Sequence, residues 1–255
     1  MQDAVLIEQH QHVCTITLNR TKKHNAFDDQ FIETLHHHLI EASQNPTVNL
    51  IVLKARGKHF SAGADLEWMQ RMVDMSEAEN IIDAQKLAAL LHTLYHLEKP
   101  TLSLIQGSAF GGGVGLIAAT DIALATASAR FCFSEVKLGL IPAVISPFVI
   151  EAIGPRATSA LFMTAEIFDA QKAFALQLIH RVIPDEQFEI ETTQFIKHLT
   201  TLPVEAMRQA KSLVRTVKYQ PINEKLQTTT AEMIAKRRVS AEGQRGILAF
   251  LNKTR

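Results

Sequence analysis

Residues 107–115 read Gly-Ser-Ala-Phe-Gly-Gly-Gly-Val-Gly, and this stretch decides how the rest of the sequence is interpreted. It follows the apolar run 101–105 and precedes the helix-compatible run 114–119, so it marks a junction between a strand and a helix. Consecutive glycines cost backbone entropy, and a tight turn alone needs only one or two of them. The free N–H groups of a helix start, bare of side chains, can approach an anion or a polarised carbonyl closely. The stretch therefore predicts a binding site made of backbone.

A second junction has the same character. Residues 58–66 read Lys-His-Phe-Ser-Ala-Gly-Ala-Asp-Leu, after the β-branched run 50–53 and before the helix-compatible run 66–75. Its small side chains again expose the backbone. Two such junctions could hold one oxygen atom between two N–H groups, which is the arrangement of an oxyanion hole.

The sequence also offers one well-placed acid, Glu135, among the apolar residues of 131–142. Taken alone, a glutamate at the end of a strand is more commonly a surface residue. Burial raises the pKa of a carboxyl group and prepares it to exchange protons near neutral pH. Beside two candidate oxyanion donors, we interpret Glu135 as a catalytic acid/base.

Taken together, these motifs resemble those of the enoyl-CoA hydratase/isomerase (crotonase) superfamily, nearly from end to end. Residues 19–27 (NRTKKHNAF) are similar to N-R-P-x-x-x-N-A-L, and residues 60–66 (FSAGADL) match F-[SA]-A-G-A-D-[LI]. Residues 107–113 with the later Asp-Ile-Ala resemble G-x-A-x-G-G-G…D-[IL]-x-x-A, and residues 242–253 resemble E-G-x-x-A-F-x-E-K. Four motifs in the right order are far more specific than any one of them.

The resemblance implies an enzyme that binds an acyl-CoA thioester and stabilises the enolate that forms on the thioester oxygen. It needs no cofactor, because CoA is part of the substrate. By motif position, the N–H groups of Ala62 and Gly112 are expected to be the oxyanion donors and Glu135 the catalytic group. The residues expected to bind CoA or substrate are Lys22, His24, Ala26, Ala64, Asp65, Leu66, Gly111, Gly115 and Lys253.

The chain departs from the family at one catalytic position. Hydratases of the family use two glutamates, of which the second falls on Glu135 and the first on Gly115. A single base resembles the family isomerases, which move a proton between two carbons. One glutamate could still hydrate if one water supplied both hydroxyl and proton, or a third acid such as Glu67 or Glu151 could substitute.

Another segment favours the hydratase. Residues 141–150 begin Ile-Pro-Ala-Val-Ile-Ser-Pro, and this text together with Gly115 resembles bacterial 3-methylglutaconyl-CoA and isohexenylglutaconyl-CoA hydratases, enzymes of leucine and acyclic-terpene breakdown. A glutaconyl-type acyl group carries a distal carboxylate, for which Arg71, Lys137 and Arg156 are candidate partners. The alternatives are a Δ3,Δ2-enoyl-CoA isomerase with Glu135 as its only base, and a non-catalytic acyl-CoA- or RNA-binding member of the family.

Composition describes an ordinary globular protein. The 255 residues are 47% hydrophobic and 20% charged with zero formal net charge, so no overall field attracts nucleic acid. Two cysteines indicate a reducing compartment without disulfides. The N-terminus shows no signal peptide, and the most apolar window, 138–150, contains two prolines and is too short to span a bilayer. These features predict a cytoplasmic protein with no membrane or nucleic-acid partner.

Alternating patterns predict an α/β fold. Strand-like runs occur at 5–8, 13–18, 50–54, 101–105, 122–126 and 130–133, with helix-compatible stretches such as 28–44 and 76–97 between them. The resemblance implies a crotonase-like spiral of ββα turns. We expect this core over 1–200 and a C-terminal helical region over 201–255, which in the family forms a homotrimer or a hexamer of two trimers.

Metal and redox chemistry are not expected. The 11 histidines include three consecutive ones on a predicted helix, which point in different directions, and a pair at 92 and 96 that lacks the glutamate of a zinc-protease helix. The glycines of 111–115 do not spell a dinucleotide-binding fingerprint followed by an acidic residue.

Overall fold

A computed structural model describes residues 3–253, with side chains described to residue 252. The strands are β1 Val5–His10, β2 Val13–Leu18, β3 Leu50–Ala55, β4 Thr101–Ile105, β5 Ser108–Phe110, β6 Ile122–Thr126, β7 Arg130–Cys132, β8 Phe168–Asp169 and β9 Arg181–Ile183. The helices are α1 Asp29–Gln44, α2 Leu66–Val73, α3 Glu77–His96, α4 Gly112–Ala118, α5 Ser146–Thr164, α6 Ala170–Ala175, α7 Phe188–Thr201, α8 Val204–Val217, α9 Glu224–Val239 and α10 Ala241–Lys253. The predicted α/β class is confirmed.

The strands form two sheets. The larger has the order β1-β2-β3-β4-β6-β9, and all its neighbours are parallel except the β1–β2 hairpin. The smaller has the order β5-β7-β8, with β5 and β7 parallel. The chain passes from β4 in the larger sheet directly to β5 in the smaller one. Residues 107–115 therefore lie where the two sheets meet.

Helix starts are fixed by local side chains. Asp28 caps α1 by accepting the Phe31 N–H, and Ser76 with Glu79 forms a capping box at the start of α3. The strands β3 and β4 are largely buried on both faces because the sheet is covered on both sides. The main core is rich in phenylalanine, including the fully buried rings of Phe27, Phe31 and Phe60.

The sequence pattern does not predict strands β5, β8 and β9, each of which has only two or three residues. Helix α5 begins within the 141–150 stretch quoted above, and Pro147 lies in its first turn, where a proline is tolerated. This helix is interrupted at Gly154, whose φ of 77° is not helical.

The predicted C-terminal helical region is present as α8, α9 and α10. Helix α8 is tied to the preceding fold by an ion pair between Lys211 and Asp121 at 2.6 Å and another between Lys218 and Glu151 at 2.7 Å. A domain boundary at residue 200 stays a prediction. Within the described residues, no helix combines the length and apolarity that crossing a membrane requires.

Candidate active site

The structure brings the two glycine-rich junctions side by side. Ser61 pairs with Ala109 of β5 in a parallel bridge, where the Ser61 N–H donates to Ser108 O at 3.1 Å and the Phe110 N–H donates to Ser61 O at 3.0 Å. A second bridge joins Phe27 to Ala64. The loop between β3 and α2 is thus held directly beside the start of α4.

A cavity of about 510 Å³ opens at this point. One side, which we call the junction wall, is formed by Ala64, Gly111, Gly112 and Glu135. Another part of the lining, which we call the helical wall, comes from α2 and α3 and comprises Leu66, Trp68, Met69, Met72, Asn80, Asp83, Ala84 and Leu87. Phe27, Ala62, Gly63, Ser134, Leu138 and residues 140–145 complete the lining.

The expected donor Ala62 needs correction. Its N–H donates to His24 O at 2.9 Å, so this hydrogen is already used in the loop. The N–H of Ala64, two residues later, has no acceptor among the residues that the structure describes. The same holds for the Gly112 N–H at the first position of α4. The N–H groups of Ala64 and Gly112, one from each junction, are therefore both free to bind a ligand oxygen.

Each of the three consecutive glycines meets a different neighbour. Gly111 has a φ of 50°, and a Cβ there would lie 3.1 Å from Oε1 of Glu135. A Cβ on Gly112 would lie 3.1 Å from the Phe27 ring, and one on Gly113 would lie 2.8 Å from the Cβ of Ser61. Bare backbone is needed most strictly at Gly113, where a Cβ would clash with Ser61, and at Gly111, which has a positive φ and lies against the Glu135 carboxylate.

Glu135 begins a short 3₁₀ turn, Glu135–Leu138, after β7. Its Oε2 atom is buried and has no hydrogen-bond partner among the described residues. Burial raises the pKa of this carboxyl group above its usual 4.5, although its own backbone N–H opposes the shift. An unpaired, partly desolvated carboxylate on the wall of a cavity is suited to take up and return a proton.

Gly115 does not reach the cavity, contrary to its expected contact with substrate. A Cβ on Gly115 would lie 2.4 Å from Cγ2 and 2.9 Å from Cβ of Ile145. Ile145 itself lines the cavity. The isoleucine therefore fills the space into which a side chain at 115 would extend, and a glutamate there has no room.

The remaining expected binding residues fall into two groups. Ala64, Leu66 and Gly111 line the cavity, and Leu66 is 81% exposed at its mouth. Lys22, His24, Ala26 and Asp65 do not line it. The side chain of Lys253, at the end of α10, lies outside the described residues.

Asp65 has a structural environment. It is buried, caps α2 through the Glu67 N–H, and pairs with Arg20 and with Lys23, both at 2.9 Å. These cations hold its pKa below the usual range against the opposing effect of burial. Lys22 and His24 are exposed on the neighbouring turn, whereas Ala26 is buried and its carbonyl accepts from Arg20 Nη1 at 2.5 Å. A contact of Lys22 or His24 with CoA stays a prediction.

The alternative acids and the candidate cations lie elsewhere. Glu67 pairs with Lys23, and Glu151 pairs with Lys218 and Tyr219. Neither lines the cavity, and the same is true of Arg71, Lys137 and Arg156. Arg71 instead pairs with Asp29 at 2.5 Å.

Apart from Leu66, sequence reasoning missed the helical wall. Asn80, Asp83, Ala84 and Leu87 share one face of α3 at the spacing of an amphipathic helix, and they face the cavity. Asp83 is 8% exposed, so a buried aspartate lies on a helix face that also carries Ala84 and Leu87. An aspartate on such a face was the available clue. Within residues 3–253, no three histidine, cysteine or acidic side chains are grouped to hold a metal ion.

Comparison with known proteins gives a consistent result. The family model described as enoyl-CoA hydratase/isomerase matches residues 8–255. A Legionella pneumophila crystal structure assigned to the same family, crotonase, shares 49% identity and superposes with a TM-score of 0.95, covering 98% of this chain and 96% of that one. The predicted crotonase-like fold is confirmed.

Two curated relatives differ in the reaction they are named for. A Thermus thermophilus protein provisionally named enoyl-CoA hydratase is 34% identical over 173 residues, which is 68% of each chain. The trans-2-decenoyl-[acyl-carrier-protein] isomerase of Streptococcus mutans is 30% identical over 204 residues, covering 79% of this chain and 78% of the relative.

Proposed function

Because this chain belongs to the enoyl-CoA hydratase/isomerase family, we propose that it adds water across the double bond of an α,β-enoyl-CoA thioester. One observation carries the proposal. The unpartnered carboxylate oxygen of Glu135 lies on the same cavity wall as the free N–H groups of Ala64 and Gly112. A proton-transfer group and two oxyanion donors are the minimum that this reaction needs.

In this proposal the thioester oxygen lies between the Ala64 and Gly112 N–H groups, which stabilise the negative charge it gains in the enolate. Ionised Glu135 takes one proton from a water molecule while the oxygen of that water bonds to C3 of the substrate. The enolate then collapses as Glu135 returns the proton to C2. The hydroxyl and the hydrogen both come from one water, so a single carboxylate suffices.

The raised pKa of Glu135 fits this double role. A group that must accept and then donate a proton works best when its pKa is near the working pH. Because the ionised form starts the reaction, we expect kcat/KM to fall as the pH drops through the raised pKa of Glu135.

The second candidate is a Δ3,Δ2-enoyl-CoA isomerase, and one observation favours it. Ile145 occupies the space beside Gly115, so the described cavity holds no glutamate other than Glu135. As the only base, Glu135 would take a proton from C2 of a 3-enoyl thioester and return it to C4. A non-catalytic binder is disfavoured, because a buried carboxylate oxygen without a partner, as at Oε2 of Glu135, costs free energy that a function must justify.

The acyl group is the least constrained part of the proposal. A branched glutaconyl-type substrate carries a distal carboxylate, yet no lysine or arginine lines the cavity in the part of the chain that the structure describes. The surroundings of the cavity therefore give this substrate less support than the sequence resemblance does. We retain 3-methylglutaconyl-CoA as one substrate in the test.

We propose further that the protein is a homotrimer assembled through α8, α9 and α10. No residue of α8 or α9 is buried within the chain, and an apolar groove of about 920 Å³ runs between these helices. Light scattering after gel filtration should give three times the 28.3 kDa of one chain, or six times for a hexamer. A monomer would contradict this part of the proposal.

The deciding experiment is a panel of three thioesters. A hydratase removes the absorbance of the conjugated thioester of crotonyl-CoA or 3-methylglutaconyl-CoA. An isomerase creates that absorbance from a 3-enoyl-CoA, and a silent binder does neither. The proposal is abandoned if the conjugated thioesters are stable in the presence of the enzyme while the 3-enoyl thioester is converted.

A further inference from the structure

The cavity contains a second carboxylate, that of Asp83 on the helical wall. Asp83 is more than nine-tenths buried, and its Oδ1 atom accepts a long hydrogen bond of 3.4 Å from Nε1 of Trp68, which is itself 6% exposed. No other hydrogen bond or ion pair of this carboxylate is found among the described residues. A buried carboxylate with one weak donor is incompletely satisfied.

The neighbouring polar and charged side chains do not hydrogen-bond to the Asp83 carboxylate. The Asn80 amide, one turn earlier, donates to the carbonyl oxygens of Met72, Met75 and Ser76. Lys86, the cation closest to it along α3, pairs with Glu33 at 2.6 Å. The unmet hydrogen-bonding capacity of Asp83 is therefore available to whatever occupies the cavity.

The position of Asp83 relates it to the acyl group. Leu87 lies one turn further along the same face of α3, and its Cδ2 would lie 3.7 Å from a Cβ on Gly112. Residues four apart on a helix have Cβ atoms about 5–6 Å apart. Asp83 is thus one helical turn from the point where α3 contacts the oxyanion donor Gly112, within reach of an acyl chain whose thioester binds there.

The charge of the cavity is also one-sided. Asp83 and Glu135 both line it, and no lysine or arginine of the described chain does so. An acyl group with its own carboxylate would be repelled by Asp83 in a partly desolvated setting. A group that donates a hydrogen bond would instead meet a charged acceptor.

We infer that Asp83 determines substrate specificity by accepting a hydrogen bond from a hydroxyl group on the acyl chain, and that it excludes acyl groups ending in a carboxylate. This inference rests on the proposed function where turnover is concerned, whereas its binding test does not depend on that function. Asp83 is assigned a contact with the distal acyl group and no part in proton transfer.

The test measures binding first, without turnover. Dissociation constants are measured calorimetrically for butanoyl-CoA, 4-hydroxybutanoyl-CoA and glutaryl-CoA, which lack the reactive double bond. The native enzyme should bind the hydroxylated thioester about tenfold more tightly than glutaryl-CoA, since one hydrogen bond to a charged group can lower the dissociation constant by at least about tenfold. Equal or tighter binding of glutaryl-CoA by the native enzyme overturns the inference without any variant.

Asp83→Asn is the informative variant, because the amide oxygen can still accept from Trp68. It should reduce the hydroxyl-over-carboxylate preference about tenfold and leave butanoyl-CoA binding within twofold. Glu77→Gln removes a charge from the exposed start of the same helix and serves as the matched control, with no expected change in preference. An unchanged preference in a folded Asp83→Asn protein leaves Asp83 with only its structural contact to Trp68 and refutes the inference.

Hydration of crotonyl-CoA, 4-hydroxycrotonyl-CoA and glutaconyl-CoA is measured separately. If the binding order is as expected but none of the three is hydrated, the proposed reaction fails and the assignment of Asp83 survives. If all three are hydrated equally well by the native enzyme and by Asp83→Asn, the proposed reaction stands and the assignment of Asp83 fails.

Discussion

The two walls of the cavity differ in what they are made of. The junction wall presents backbone N–H groups and one carboxylate, at positions fixed by glycine packing and strand bridges. The helical wall presents side chains from α2 and α3, which are apolar apart from Asn80, Asp83 and the indole N–H of Trp68. In the proposed function, the first wall stabilises an enolate whatever acyl group is bound, and the second contacts the part of the substrate that varies. The proposal therefore assigns chemistry and selectivity to separate elements of the fold.

Glu135→Gln tests whether the chemistry resides on the junction wall. The amide keeps the shape of the side chain but cannot take a proton from water, so kcat should fall by about 10²–10⁴. Steady-state hydration kinetics and CoA affinity are measured together. A variant that retains more than half of the native kcat would remove Glu135 from the mechanism and break the separation between the walls.

Gly112→Pro tests the backbone donor on the same wall. Proline deletes the N–H and is compatible with the first turn of a helix, so kcat should fall by about 10²–10³ in a protein that still folds. Gly112→Ala is the matched control, because it keeps the N–H and adds only a methyl group 3.1 Å from the Phe27 ring. Equal activity of the two variants, with native circular dichroism, would contradict the donor role.

The junction wall was largely readable from the sequence, since glycines next to strand and helix patterns are a local property. The expected donor, Ala62, lies two positions before the free one, Ala64. Only the fold shows that His24 O already accepts the Ala62 N–H. Of the helical wall, the sequence predicts only Leu66 as a contact with substrate. Whether Asp83 faces solvent or a cavity depends on how α3 packs against α2 and α4, which are contacts between segments distant in sequence. The space beside Gly115 was hidden for the same reason, because Ile145, which fills it, directly precedes α5 in another segment of the chain.

Gly115→Glu tests whether the missing glutamate is a simple loss of a catalytic group. The structure predicts that it is not, because any side chain at 115 meets Ile145 at 2.4 Å. The smaller Gly115→Ala change should already destabilise the protein by about 1–3 kcal/mol, as overpacking of a core does. Denaturant unfolding of Gly115→Ala and of the double variant with Ile145→Ala checks this, since the second change should restore much of the loss. A fully stable Gly115→Glu protein with raised crotonyl-CoA hydration would show that the space is open.

The pH dependence of stability gives a smaller effect of Glu135. Its folded-state pKa lies above the usual 4.5 because of burial, so the folded protein holds this proton more tightly than the unfolded chain. The corresponding stability is complete below pH 4.5 and is lost as the pH rises through the folded-state pKa. Glu135→Gln should therefore gain stability relative to the native protein over that window and keep the gain above it. Thermal or denaturant unfolding of both proteins across the window measures the difference, and a constant difference at every pH would show that burial does not shift this pKa.

Arg71→Gln should have the smallest effect. It tests whether the Arg71 side chain, which lies outside the cavity, turns inward when a substrate with a carboxylate binds. Arg71 pairs with Asp29 at 2.5 Å, and both side chains are about half exposed, so the pair contributes at most about 1 kcal/mol. We expect a similarly small loss of stability and less than a twofold change in KM for crotonyl-CoA and for 3-methylglutaconyl-CoA. If Arg71 instead turned inward to hold a distal carboxylate, KM would rise about tenfold for 3-methylglutaconyl-CoA alone, since such a contact is a charge-assisted hydrogen bond. That selective rise would supply the cation that the cavity lacks, and it would count against the exclusion of carboxylated acyl groups by Asp83.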